Sequence, residues 1–157
     1  MAKESVLAAK KILMENLYLS LASVGVDSMP WVTPLLQAHD EKFNFYWVST
    51  NSARHVNNLK ANAGVSFVVF DSHAAKRKGR GVYVEARVSE LTSEEEVAAA
   101  LAAFFGALGE EVPATENFLG EAKYRIFKAV PEKVWVTPTD ATIGPREEIT
   151  VEELTEE

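Results

Sequence analysis

Residues 43–70, FNFYWVSTNSARHVNNLKANAGVSFVVF, constrain the fold of this chain more than any other stretch. Phe43, Phe45 and Trp47 alternate with Asn44, Tyr46 and Val48, the period-2 pattern of a strand. Ser49-Thr50-Asn51-Ser52 follows, a cluster of small polar residues suited to a turn and a helix N-cap. A short helix is expected next, with Val56, Leu59 and Ala63 on one side, and then a second apolar strand from Val65 to Phe70. The first strand therefore runs into a helix N-terminus that carries hydroxyls, Arg54 and His55. Free amides and the positive end of the helix dipole converge there, which suits an anion. A helix terminus contributes roughly 0.3–1 kcal/mol at an exposed site, and each charge-assisted hydrogen bond about 1.5–3 kcal/mol. Ser52, Arg54 and two backbone amides thus suffice to hold a phosphate monoester weakly. The same pattern also describes an ordinary capped surface helix.

The rest of the chain reads as strands joined by short turns. Residues 4–15 have helical spacing and good helix formers. Residues 17–24 alternate Leu17, Leu19 and Leu21 against Tyr18, Ser20 and Ala22, a strand closed by the turn Gly25 to Pro30. The next strand, Trp31 to Ala38, contains Pro34, which lacks a ladder donor and places the strand at an edge or bulge. A polar loop from Asp71 to Arg80 leads to a strand over residues 81–88. Ser93 and Glu96 form a capping box opening a helix over 94–108, which ends near Gly106 or Gly109. Two further strands are expected, about Lys123–Val130 and Lys133–Thr137, divided by Pro131. Residues 1–137 thus form a single domain, and 138–157 an acidic, loosely held tail. Most connections are too short for crossover helices, so the fold class is mainly β, a small antiparallel barrel with helices plugging its ends.

Composition removes several function classes. The 157 residues carry a net charge of −7, which argues against sequence-independent nucleic-acid binding. No apolar run has the length of a membrane span, and the N-terminus lacks a secretory pattern. With no cysteine, disulfides and thiolate chemistry are out, and a cytoplasmic location is expected. His39, His55 and His73 have no ligand spacing, so no metal site is expected. There is no Gly-x-Ser-x-Gly elbow and no Gly-rich phosphate loop. Lys76-Arg77-Lys78 with Arg80 reads as a solvated hairpin loop, or as a rim that attracts an anionic ligand. Glu85, mid-strand, is expected to face outward. Any redox chemistry must then come from a bound cofactor.

The order of elements, with the motifs Trp31-Val32-Thr33-Pro34-Leu35-Leu36, Ser49 to Leu59, Asn62-Ala63-Gly64-Val65-Ser66 and Val82-Tyr83-Val84-Glu85-Ala86, resembles the FMN-binding split β-barrel proteins related to pyridoxamine 5'-phosphate oxidase. The match is good over Leu17 to Leu91 and looser over Lys123 to Trp135. The resemblance implies a six-stranded antiparallel Greek-key split barrel, a homodimer, and FMN as cofactor at the dimer interface. It implies a flavin ring along Val32, Thr33 and Pro34, further contacts at Val48 and Ser49, and a basic pair at Arg54 and His55 gripping the 5'-phosphate beside Ser52. That phosphate position coincides with the anion site read from the residues alone.

Departures from the family pattern narrow the function. Gly81 stands where the oxidase usually has glutamine, and His55 replaces a lysine. The C-terminal arginine and histidine motif of the oxidase has no counterpart after Trp135, so vitamin B6 oxidase activity is not expected. The leading reading is a flavin-dependent oxidoreductase using a donor such as NAD(P)H and a small organic substrate, with no catalytic side chain assigned. Alternatives are a non-catalytic flavin-binding or stress-related protein, or the same barrel holding a deazaflavin or haem. Trp31, Trp47, Trp135 and Tyr83 read as packing residues, or as a cover for the flavin ring.

Overall fold

In the computed structural model, which describes residues 3–138 and 144–156, the alternating segments join into one antiparallel sheet. The strands are β1 (Tyr18–Val24), β2 (Pro30–Leu36), β3 (Ala38–His39), β4 (Phe45–Thr50), β5 (Gly64–Phe70), β6 (Gly81–Glu90), β7 (Tyr124–Val136) and β8 (Glu147–Ile149). Their order is β2-β1-β5-β6-β7-β4-β3, with β8 beside β7. β3 and β8 are very short, so six long strands form the body of a mainly β split barrel. The helices are α1 (Glu4–Glu15), α2 (Arg54–Ala61), α3 (Glu94–Leu108) and α4 (Val151–Thr155), with a 3-10 turn at Thr115–Phe118. β2 stands at an edge with Pro34 opposite Ser20, as its missing donor requires.

Pro131 does not divide two strands. β7 runs unbroken through it, pairing its first half with β4, its last residues with β8, and nearly its whole length with β6. The register shifts where Glu85 faces Lys133 but Ala86 faces Pro131, leaving Glu132 as the extra residue of a bulge. A bulge is where a strand tolerates proline, because the hydrogen-bond ladder is disrupted beside the extra residue. It also bends β7, which lets one strand serve both halves of the barrel.

Two cores sit on the two faces of this sheet. Inside the barrel, Leu19, Leu21, Phe45, Trp47, Phe67, Val84 and Phe127 pack with Val6, Ala9 and Leu13 of α1, which closes one end. Outside, α3 lays Val97, Ala100, Leu101 and Phe104 on Ala38, Tyr46 and Ile126. Its ends match the sequence. Ser93 Oγ accepts from the Glu96 amide at 3.2 Å, and Gly109 closes the helix at φ 69°, a conformation that favours glycine. Among the described residues the outer face of β1, β2, β5 and β6 has no such helix. Val32 is 64% exposed there, and Glu85 faces outward as expected.

The acidic C-terminal segment is not loosely held over residues 147–155. β8 pairs with β7, Ile149 and Leu154 are buried in the barrel core, and Thr150 and Glu153 form a reciprocal capping box for α4. Glutamates dominate the segment's composition, but the two apolar residues decide its position, at roughly 1.5–3 kcal/mol for each fully buried side chain. Residues 139–143, also assigned to the tail, lie outside the described residues. Among the described residues no helix is long and apolar enough to cross a membrane, and no group of three acidic or histidine side chains is placed to hold a metal. Ile149→Ala is expected to lower unfolding stability by about 2–5 kcal/mol in denaturant titration. A loss under about 0.5 kcal/mol, the usual surface value, would mean that the segment packs only loosely.

Candidate functional site

The anion corner is built by docking α2 across the turn between β1 and β2. Asn58 is buried and donates through Nδ2 to Ser23 Oγ at 3.0 Å. Gly25 lies directly against it, and a Cβ there would stand 2.3 Å from Asn58 Oδ1. Only glycine allows so close an approach without displacing the helix or the amide. The docking brings the first turn of α2 beside edge strand β2. There the Arg54 guanidinium lies 4.3 Å from the centroid of the Trp31 ring. This contact contributes about 0.5–1 kcal/mol at an exposed site and holds the charge at the strand edge. Its ion pair with Asp27 is long, 3.8 Å, and exposed, so an incoming anion displaces little.

The helix start differs from the sequence reading. Ser49 and Thr50 are the last residues of β4, paired with Arg125 and Tyr124, and Ser52 is exposed in the turn. The N-cap is Ala53, which has no side-chain acceptor. The first-turn amides are therefore uncapped, which leaves them to solvent or to a ligand oxygen. His55 also departs from expectation. It points inward, is 7% exposed, and its Nε2 lies 2.7 Å from Ser49 Oγ. Burial lowers its pKa from the ordinary 6.5, so the imidazole is neutral near pH 7. It is a structural partner of Ser49 rather than a second cation.

The remaining expected residues fall into two groups. Thr33 shares the inner face of β2 with Trp31, two residues away, the ring that Arg54 covers. Val32 and Pro34 point to the outer face, where both are exposed. The Val48 side chain packs into the α3 cluster. One group escaped the sequence reading. Arg125 pairs across the strands with Ser49 and is 8% exposed, with Nε 3.3 Å from the Glu90 carboxylate. Its place in a strand was legible; the carboxylate beside it was not. On the outer face, Ser20, Ala22, Val32, Val68, Tyr83 and Trp135 line a largely apolar cleft of about 340 Å³, within the range of small-molecule sites.

The family model described as pyridoxamine 5'-phosphate oxidase matches residues 7–138. The chain belongs to the pyridoxamine 5'-phosphate oxidase family. No curated protein sequence matches it. Among solved structures it is similar to HutZ, the heme storage protein from Vibrio cholerae, at 22% identity and TM-score 0.71, over 87% of this chain and 95% of that one. It is similar to an FAD-binding protein from Mesorhizobium loti at 23% identity and TM-score 0.65, over 84% and 91%. It is also similar to a heme binding protein from Mycobacterium smegmatis at 14% identity and TM-score 0.74, over 99% of this chain but 62% of that one. At these identities the likeness is one of fold. Two of these three are named for heme and one for FAD.

Buried neutral His55 makes stability depend on pH. The unfolded imidazole titrates near its ordinary 6.5, above the folded value, so between the two the unfolded state binds more protons. Stability is then complete above about pH 6.5 and falls as the pH drops toward the folded value. His55→Gln is expected to flatten that decline in denaturant titrations from about pH 7.5 to 5.5. Parallel profiles for the two proteins would show that His55 is not held neutral.

Proposed function

We propose that the protein is an FMN-binding flavoprotein of the oxidoreductase type, acting as a homodimer on a small organic substrate with a donor such as NAD(P)H. The observation that carries the reading is the corner itself. Arg54 is fixed over Trp31 beside the uncapped first turn of α2 and the free edge of β2. These are the donors a terminal phosphate needs, and an edge strand supplies unpaired backbone groups for a planar heteroaromatic ring. The fit is to one strong cation rather than two, because His55 is turned inward. Bound flavin would supply the electron transfer; the chain supplies the anchor, the ring's orientation and an apolar wall against water.

The haem alternative has less support from the histidines. His39 is stacked on Phe43 at 4.6 Å with Nδ1 at 3.2 Å from the Asp40 carbonyl, and His73 sits on the exposed 71–80 loop. Neither stands at the corner or in the outer cleft. The homodimer reading rests on the uncovered outer face, where Val32 is 64% and Tyr18 59% exposed. A second copy is the partner that would bury this face and close over the cleft.

FMN titration of the full chain tests the corner. Arg54→Ala is expected to lose about 1.5–3 kcal/mol of binding, while His55→Gln, which removes no ligand contact, changes affinity much less. Loss on both substitutions would return His55 to the phosphate, and loss on neither would remove the phosphate from this corner. Bleaching of the bound flavin by NADPH separates a reductase from a passive binder. In sedimentation the wild type is expected as a dimer and Val32→Arg as a monomer; a monomeric wild type would remove the interface.

A further inference from the structure

A second hollow lies where the β5–β6 loop meets the C-terminal segment. It measures about 330 Å³ and is lined by Val68, Phe70, Arg80, Tyr83, Thr137 and Arg146 among others. Two guanidinium groups border it. Arg80 donates from Nε and Nη2 to the Thr137 carbonyl at 3.0 and 2.9 Å. Arg146 donates from Nη2 to the Tyr83 hydroxyl at 3.1 Å and from Nη1 to the Gly144 carbonyl at 3.0 Å. It also lies 5.0 Å from the centroid of the Tyr83 ring. Each guanidinium carries five N–H donors, and two of each are used, all on neutral oxygens.

Acidic residues outnumber basic ones, 23 to 16, yet neither arginine has a carboxylate within ion-pair distance among the described residues. Backbone and phenol oxygens hold the two forks in place without neutralising them. The opposite wall is apolar, with Val68 and the half-exposed ring of Phe70. Val68 and Tyr83 are shared with the outer cleft, so a flat body has a continuous apolar path away from the charges. Lys76, Arg77 and Lys78 on the loop entering β6 are exposed and raise the local anion concentration.

We propose that this hollow is an anion-binding site for a small organic molecule with a planar apolar body and a terminal carboxylate or phosphate. The arginine forks take the oxyanion, since planar bidentate donors match both groups. Tyr83 and Phe70 take the body. The site is separate from the Arg54 corner, none of whose residues line it, although Val68 and Tyr83 also line the outer cleft.

Calorimetric titration of the full, flavin-free chain with benzoate, phenyl phosphate and inorganic phosphate tests it. The aromatic anions are expected to bind, inorganic phosphate more weakly, and Arg146→Gln to weaken the aromatic anions about tenfold or more. Arg54→Ala is expected to leave the benzoate affinity unchanged, whereas the phosphate probes can also reach the Arg54 corner. If Arg146→Gln does not fold, Arg146→Lys keeps the charge without the fork and is expected to weaken binding severalfold. No binding of either aromatic anion, unchanged benzoate affinity in the Arg146 variant that folds, or loss of benzoate binding in Arg54→Ala would overturn the site. Inorganic phosphate binding as tightly as phenyl phosphate would overturn the ligand class.

Discussion

The architecture depends on a single strand that bends without breaking. β7 pairs along most of its length with β6, and with β4 and β8 at its two ends on the other side. The extra residue Glu132 beside Pro131 changes its direction. A straight strand would extend a flat sheet; the bend turns β4 toward β2 and encloses Phe45, Trp47, Phe67 and Phe127 in one interior. Every element with a candidate role hangs from this frame. α2 follows β4, the tail is carried by β8 on β7, and Trp135 faces the outer cleft from the last turn of the same strand.

The second organising fact is unequal cover. α3 is alanine-rich, so it packs close on β3, β4 and β7 and completes that side. Among the described residues no helix covers the outer face of β1, β2, β5 and β6. Both hollows and the edge strand lie on or beside this uncovered side, while α2 sits at its margin, fixed by the Gly25–Asn58–Ser23 contact. The places where a ligand or a second chain can be met are therefore those where the chain's own secondary structure stops covering the sheet.

Much of this was legible in the sequence, because period-2 alternation over β1, β4 and β6 fixes which residues face inward. Pro34 left an edge or a bulge for β2, of which the edge is found; Ser93 and Glu96 gave the start of α3, and its end fell on Gly109, one of the two glycines expected. Two readings failed for one reason: a local rule met a tertiary exception. Pro131 reads as a strand breaker, but the bulge beside it disrupts the hydrogen-bond ladder there. Ser49 reads as a helix cap, but strand pairing with Arg125 holds it in β4 and turns its hydroxyl to His55. The tail misled by composition, since Ile149 and Leu154 are two apolar residues among many acids. Arg54 was found because helix-start chemistry is local. The partners of Arg80 and Arg146 were out of reach, lying 57 and 63 residues away at Thr137 and Tyr83.

Charge placement connects these observations. In a chain with a net charge of −7, a cation without a nearby carboxylate leaves unused attraction, and close pairing with a carboxylate is one way to hold it. Lys3 is held so by Glu153 at 2.7 Å, Arg87 by Glu132 at 3.0 Å, and Arg125 by Glu90. Arg54 has only the long, exposed contact with Asp27, and Arg80 and Arg146 have no carboxylate within ion-pair distance among the described residues. They are held by an indole face, a backbone carbonyl and a phenol, which fix direction while leaving most of the charge available. Positioning a cation by neutral partners keeps its attraction for an incoming oxyanion, whereas positioning it by a carboxylate cancels that attraction. The cations that border the uncovered side are thus the ones the fold has left ready to bind.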